Sequence, residues 1–167
     1  MADIHNIFIS HYSEDDEHLH RLKERLQEKG CLVRNSSVEK GDYRKDPVSD
    51  STIAKELRGY IKWAGTVVVL IGEHTHERPW VNYEIRNAYL QGKKIIGVYM
   101  YGCKDDVELP EAFKRYCGSA IGWNSTDKLI DIIDGKFSPL EAPNGESARP
   151  IYNIIHIKCS LLYTSDA

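Results

Sequence analysis

Glu84 is the residue whose type and setting first suggest chemistry. It follows Trp80 by one helical turn in the segment Trp80-Val81-Asn82-Tyr83-Glu84-Ile85. At about 100° per residue, Trp80, Glu84, Asn87 and Gln91 fall on one stripe of a helix, and Val81, Ile85, Ala88 and Tyr89 on the next. With the second stripe facing the core, Glu84 stands at the border of the buried surface, near a helix start, where a carboxylate can work in a cleft. Taken alone, a single helix glutamate is more often solvated. Ser10, His11 and Tyr12 follow a short apolar run and could line the same crevice, although a loop histidine is more often a structural hydrogen-bonding residue. His74 and His76 flank Thr75, but that spacing in a loop is poor evidence for metal, and none is expected.

Missing residues exclude other chemistries. There is neither a GxGxxG nor a GxxxxGK[ST] segment, which weakens dinucleotide-fold and P-loop readings. The stretch His11 to Asp16 has no glycine and ends in three carboxylates, so a flavin phosphate would meet like charge there. A phosphoacceptor receiver needs an acidic pair after its first strand and a carboxylate after its third, where this chain has Ser10-His11 and Ile71-Gly72. Glu14 to Asp16 read instead as first-turn charges facing a helix dipole.

Composition narrows the class further. Four cysteines, Cys31, Cys103, Cys117 and Cys159, are scattered without a CxxC pair, which signals neither a zinc knuckle nor a disulfide framework. A net charge of -3 gives no basic field for nucleic acid. The longest apolar run, Val67 to Ile71, is far too short for a bilayer, and no basic-then-apolar leader opens the chain. A cytoplasmic protein is expected.

The elements that must position these residues alternate along the chain. Ile7 to Ser10 reads as a strand, and Ser13 with Asp16 as a capping-box-like start of a helix carrying Leu19, Leu22 and Leu26. Gly30 ends it before a strand over Cys31 to Arg34, and Asn35 to Asp50 is a long polar loop with Gly41 and Pro47. A helix with Ile53, Leu57 and Ile61 leads into Thr66 to Ile71, a run apolar enough to be buried on both faces. Pro79 opens a helix through Leu90, Gly92 closes it, and Ile95 to Tyr99 is the next strand. Leu109 to Tyr116 is a short helix candidate, Ala120 to Trp123 a short strand, and Ser125 or Thr126 caps a helix with Leu129, Ile132 and Ile133.

Five strands alternating with five helices predict an α/β fold, a flavodoxin-like doubly wound sheet of five mainly parallel strands. Ligands of such sheets sit beyond the carboxyl ends of the strands, after Ser10, Arg34, Ile71 and Tyr99. At 167 residues a single domain is expected, over 1–137. Residues 138–150 have a linker composition, and 151–167 form an extension in which Ile151 to Ile157 could add a strand. Leu161 to Ala167 resemble translated vector sequence and are left out of the fold argument.

Phe8-Ile9-Ser10-His11-Tyr12-Ser13 resembles the first-strand box of TIR domains, and Trp80 to Ile85 resembles their WxxxE segment. The likeness runs from about Asn6 to about Gly135, includes Val69-Leu70-Ile71-Gly72 and the run from Gly92 to Val98, and is closest to the TIR-like proteins of the bacterial Thoeris anti-phage system. It implies the TIR fold and, for Glu84, the role of the glutamate that enzymatic members need to cleave NAD at the nicotinamide ribose bond. For Trp80 it implies an aromatic lining that pocket. NAD would be substrate rather than cofactor, and the product a cyclic or conjugated ADP-ribose messenger for an effector encoded separately. Homo-oligomers are compatible with this reading. The loop from Ser36 to Asp50 lacks the arginine-proline-glycine signature of animal adaptor TIR domains.

Two alternatives stand beside it. A nucleoside deoxyribosyltransferase-like enzyme also presents a helical glutamate to an anomeric carbon, but usually has an aspartate-rich segment where this chain has Gly72 to Pro79. A TIR interaction module without turnover would make Trp80 and Glu84 partly exposed structural residues.

Overall fold

The computed structural model describes residues 4–12, 16–35, 51–104, 106–136 and 138–146. Strands and helices alternate: β1 (Asn6–Ser10), α1 (Asp16–Glu28), β2 (Leu32–Asn35), α2 (Ser51–Trp63), β3 (Thr66–Ile71), α3 (Pro79–Leu90), β4 (Lys94–Tyr99), α4 (Glu111–Tyr116), β5 (Ser119–Ile121) and α5 (Leu129–Ile133). Short 3-10 helices cover Thr75–Glu77 and Trp123–Lys128. The sheet order is β2-β1-β3-β4-β5, with every neighbouring pair parallel. This is the expected doubly wound sheet, and its strand order reverses between β1 and β3.

Strand periodicity sorts the core into two layers. Phe8, Val67, Val69, Ile71 and Ile95 face α2, α3 and α4, while Ile7, Ile9, Val68, Leu70 and Ile96 face α1 and α5. All six residues of β3 are buried, as a central parallel strand between two helical layers requires. The same alternation sends Ser10, two residues beyond Phe8, to the α3 side. Gly97 lets α4 approach β4: a Cβ there would collide with the Phe113 ring.

Several boundaries differ from the sequence reading. The last helix is replaced over Trp123–Lys128 by a 3-10 segment, leaving only Leu129–Ile133 as α-helix. The buried stripe of α3 is broader than expected: Trp80, Val81, Glu84, Ile85 and Ala88 are all buried, because α3 packs on the sheet and between α2 and α4. Tyr89, expected on the core side, is half exposed and stacks on Tyr116, ring centroids 4.2 Å apart.

Residues 138–146, linker-like in composition, lie against the sheet edge. Ala120 N donates to the Pro139 carbonyl, Glu141 N donates to the Ala120 carbonyl, and the buried Glu141 side chain accepts from Gly122 N at 3.0 Å. Backbone pairing to β5 overrides the proline-rich composition. The capping residue Ser13, the loop over 36–50 with Gly41, and the extension over 151–167 lie outside the described residues. No described helix is long and apolar enough to cross a membrane.

Candidate active site

α3 begins where the loop after β3 turns back over the carboxyl ends of β1 and β3. Thr75 organises that loop: its hydroxyl accepts from Gly72 N at 2.8 Å and donates to the Leu70 carbonyl at 3.3 Å. Pro79 then occupies the first turn of α3, where a missing N–H costs nothing. Asn82 has a structural task, its side-chain oxygen accepting from Ala112 N at 2.9 Å and satisfying an amide in the first turn of α4.

Glu84 lies fully inside, with no solvent exposure. Neither carboxylate oxygen has a hydrogen-bond partner among the described residues. Burial pushes its carboxyl up to about 7, opposed first by the positive charge of Arg78 and then by the Ser10 hydroxyl. Ser10 stands beside the carboxylate, yet its oxygen and those of Glu84 miss the geometry of a full hydrogen bond. Buried polar atoms left in this state are rare enough to call for a functional explanation.

Ser10 is fully buried and His11 nearly so, both at the end of β1. Trp80 is fully buried as well, edge-on to Tyr83 with ring centroids 5.5 Å apart, and its indole N–H has no partner among the described residues. It belongs to the core layer of α3, with no face open to solvent. Tyr12 is half-buried, its ring 6.1 Å from that of His74. The structure thus gathers Ser10 and His11 with Glu84 at the β1–β3 switch point and leans Tyr12 toward the neighbouring loop.

Arg78 is the residue that the sequence reading overlooked. It is 2% exposed, immediately precedes α3, and its guanidinium donates to the His11 carbonyl. The available signal was its position, because a cation at a helix N-terminus opposes the macrodipole and needs another reason to be there.

A concavity of ≈ 530 Å³ opens between the loops after β3 and β4, lined by His74, His76, Glu77, Tyr101, Lys104 and Glu108 among others. Its groups are mostly exposed and engage one another or nearby side chains, His74 with Glu77 at 3.1 Å and Glu108 with Lys114 at 3.8 Å. Among the described residues, no three His, Cys, Asp or Glu side chains are grouped as a metal site would need.

Residues 8–105, which contain both the β1 end and the Glu84 segment, match the family model for the Thoeris protein ThsB, TIR-like domain. The chain belongs to the Thoeris ThsB TIR-like family. A stretch of 57 residues is 37% identical to "Putative cyclic ADP-D-ribose synthase ThsB1" of Bacillus cereus (strain MSX-D12), covering 34% of this chain and 30% of that relative. The match therefore spans under a third of the curated protein's length. Among solved structures, a 2-deoxyribosyltransferase from Bacillus psychrosaccharolyticus superposes with a TM-score of 0.55 at 15% identity, over 73% of this chain and 90% of its own. TIR domains of the activated Roq1 resistosome align with a TM-score of 0.43 at 21% identity, over 57% of each chain. The transferase match places this ThsB-family chain in a fold it shares with that enzyme, and at 15% identity it speaks to fold alone.

Proposed function

We propose that this ThsB-family chain cleaves the bond between nicotinamide and ribose in NAD and makes an ADP-ribose-derived signal in anti-phage defence. The observation that carries the reading is the fully buried Glu84 carboxylate, without a hydrogen-bond partner among the described residues, at the sheet's switch point and within the stretch that matches the family model. The name of the Bacillus cereus relative supports the same direction.

The chemistry suits a single carboxylate. Glycosidases commonly need a second one to protonate a poor leaving group. In NAD the nicotinamide is already cationic, so it departs neutral with the bonding electron pair and needs no proton. The ribosyl centre becomes oxocarbenium-like, and an ionised Glu84 stabilises that charge in a water-poor setting. A nucleophile then adds at the same carbon: water gives ADP-ribose, an atom of the bound nucleotide gives a cyclic product, and another acceptor gives a conjugate. Excluding water selects the last two. Ser10 and His11 would meet the ribose side of the substrate, and Trp80 supports the helix that carries Glu84. NAD serves as substrate, with no resident cofactor or metal, and an effector encoded elsewhere reads the product in the cytoplasm.

The test is to incubate purified protein with NAD, with and without phage infection or its trigger, and to resolve products by chromatography and mass spectrometry. Release of nicotinamide with a cyclic or conjugated ADP-ribose is expected, slower by about 10²–10³ from Glu84→Gln. Linear ADP-ribose alone would keep the cleavage and remove the messenger. No nicotinamide from triggered protein would leave the interaction-module reading.

A further inference from the structure

We propose that the cleft between the loops after β4 and β5 is a nucleobase site, which takes the adenine base of NAD with Tyr101 stacked on it. This rests on the NAD-cleaving reading above and deepens it, because Glu84 accounts for only one end of a dinucleotide. The cleft has a volume of ≈ 370 Å³ and is lined by Tyr101, Trp123, Asn124, Pro143 and Asn144 among others. Small-ligand sites commonly measure about 300–1,000 Å³. It lies beyond the carboxyl ends of the strands, the end of a doubly wound sheet where ligands bind.

Its lining selects the ligand. None of the lining residues is Asp, Glu, Lys, Arg or His, so the cleft offers a charged group no counter-ion. It offers aromatic surface and side-chain amides instead, the combination that holds an uncharged planar ring with polar edges. Tyr101 is 69% exposed, which leaves its ring surface open to stacking. Asn144 Oδ1 accepts from Glu146 N at 2.9 Å, so its NH2 remains as a donor for a ring nitrogen. The walls are firmly built. Ala120 pairs through its backbone with Pro139 and Glu141, and the chain beyond presses so close that a Cβ on Gly122 would meet the Pro143 carbonyl at 2.9 Å. Trp123 is held by His18, edge-on at 5.3 Å, and by the Arg25 guanidinium 4.7 Å from its ring.

The cleft and Glu84 share one end of the sheet. From the β1–β3 gap to the β4–β5 gap is two strand steps, roughly 10 Å, a span that the riboses and pyrophosphate of a dinucleotide bridge. The surface between them is continuous. The ≈ 530 Å³ concavity shares Tyr101 with the cleft and reaches His74, whose ring is 6.1 Å from that of Tyr12 after β1. Along this route Glu77 and Glu108 are engaged by His74 and Lys114, and Glu73 and Asp106 are exposed. Lys104, exposed and without an acidic partner among the described residues, is the cation on the route for the pyrophosphate.

The experiment uses the full chain as parent, Tyr101→Ala and Tyr101→Phe, the exposed position making either change mild for folding. Binding is read from the indole ¹H–¹⁵N peak of Trp123, assigned by its absence in Trp123→Phe. AMP and NAD are expected to move that peak, and ribose 5-phosphate is not. Tyr101→Ala should weaken both nucleotides about tenfold, whereas Tyr101→Phe, which keeps the ring, should stay within about twofold of the parent. In turnover, Tyr101→Ala should raise KM for NAD about tenfold with kcat changed less than about twofold, and AMP should compete with NAD. A Trp123 peak that AMP leaves in place overturns the proposal. So does one that ribose 5-phosphate moves equally, which would be recognition of phosphate. AMP that binds without displacing NAD overturns the assignment to the substrate, since the base would then come from a separate nucleotide. The peak needs no turnover, so a parent that binds AMP and NAD competitively yet releases no nicotinamide would sink the cleavage reading and leave the base site standing.

Discussion

Two regions at the carboxyl end of the sheet invite comparison. Between the loops after β3 and β4 lies a concavity of ≈ 530 Å³, large enough for a small ligand and rich in ionisable side chains. Between β1 and α3 lies Glu84, with no exposure at all. In the first region His74 and Glu77 meet in solvent and answer one another. In the second, the Glu84 oxygens and the Trp80 N–H have no partner among the described residues, and burial has moved a carboxyl from 4.5 to about 7. The open concavity therefore draws attention to one region and chemical perturbation to the other. Perturbation is the better guide to a functional site, because burial is what equips a carboxylate for chemistry that water would quench.

The sharpest way to break this contrast is Trp80→Ala, which removes a fully buried indole beside Glu84. A loss of about 3–5 kcal/mol is expected in denaturant unfolding. A loss under about 1 kcal/mol would mean that Trp80 faces an open pocket instead of a packed layer. Next is Glu84→Gln, expected to lower kcat for NAD by about 10²–10³, comparable to removing one oxyanion-stabilising donor elsewhere. Retained turnover would return Glu84 to a purely structural role.

The same variant has an opposite effect on stability. Folding raises the Glu84 pKa, so the protonated form is favoured in the folded chain. That contribution is fully present below the ordinary value of 4.5 and is lost as pH rises through about 7. At pH 8 the parent carries a buried charge, and Glu84→Gln should be the more stable by up to about 3 kcal/mol. At pH 4 that advantage should vanish. Parallel stability curves from pH 4 to 8 would refute the raised pKa. The smallest effect belongs to the other region: Glu77→Gln removes an exposed partner of His74 and should change stability and turnover by under about 0.5 kcal/mol. A large loss of turnover there would erase the distinction between the two regions.

Much of this architecture was legible from periodicity. β3 is buried at every position because its five consecutive apolar residues could belong only to a central strand, and Pro79 marked the start of α3 because proline is at home in a first turn. Glu84 could be placed on a helix near the switch point from spacing, but its complete burial could not. Helical geometry gives the direction of a side chain, whereas burial depends on how closely β1, α2 and α4 crowd α3. Arg78 escaped notice because arginine is ordinarily a surface residue, and only its bond to the His11 carbonyl reveals its inward course. The packing of residues 139–141 on β5 was hidden for a related reason, since backbone pairing leaves little trace in composition.

A carboxyl that titrates near neutrality is also a proton store. At pH 7 roughly half of the molecules hold that proton, and a pyridinium ring brought beside Glu84 would favour its release. Binding would then discharge a fraction of a proton to the solvent. The heat measured in calorimetry should consequently differ between phosphate and Tris, in proportion to the buffers' ionisation enthalpies, for the parent and not for Glu84→Gln. On the proposed NAD-cleaving reading, acid release would accompany recognition, a signal that can be read before any bond is broken.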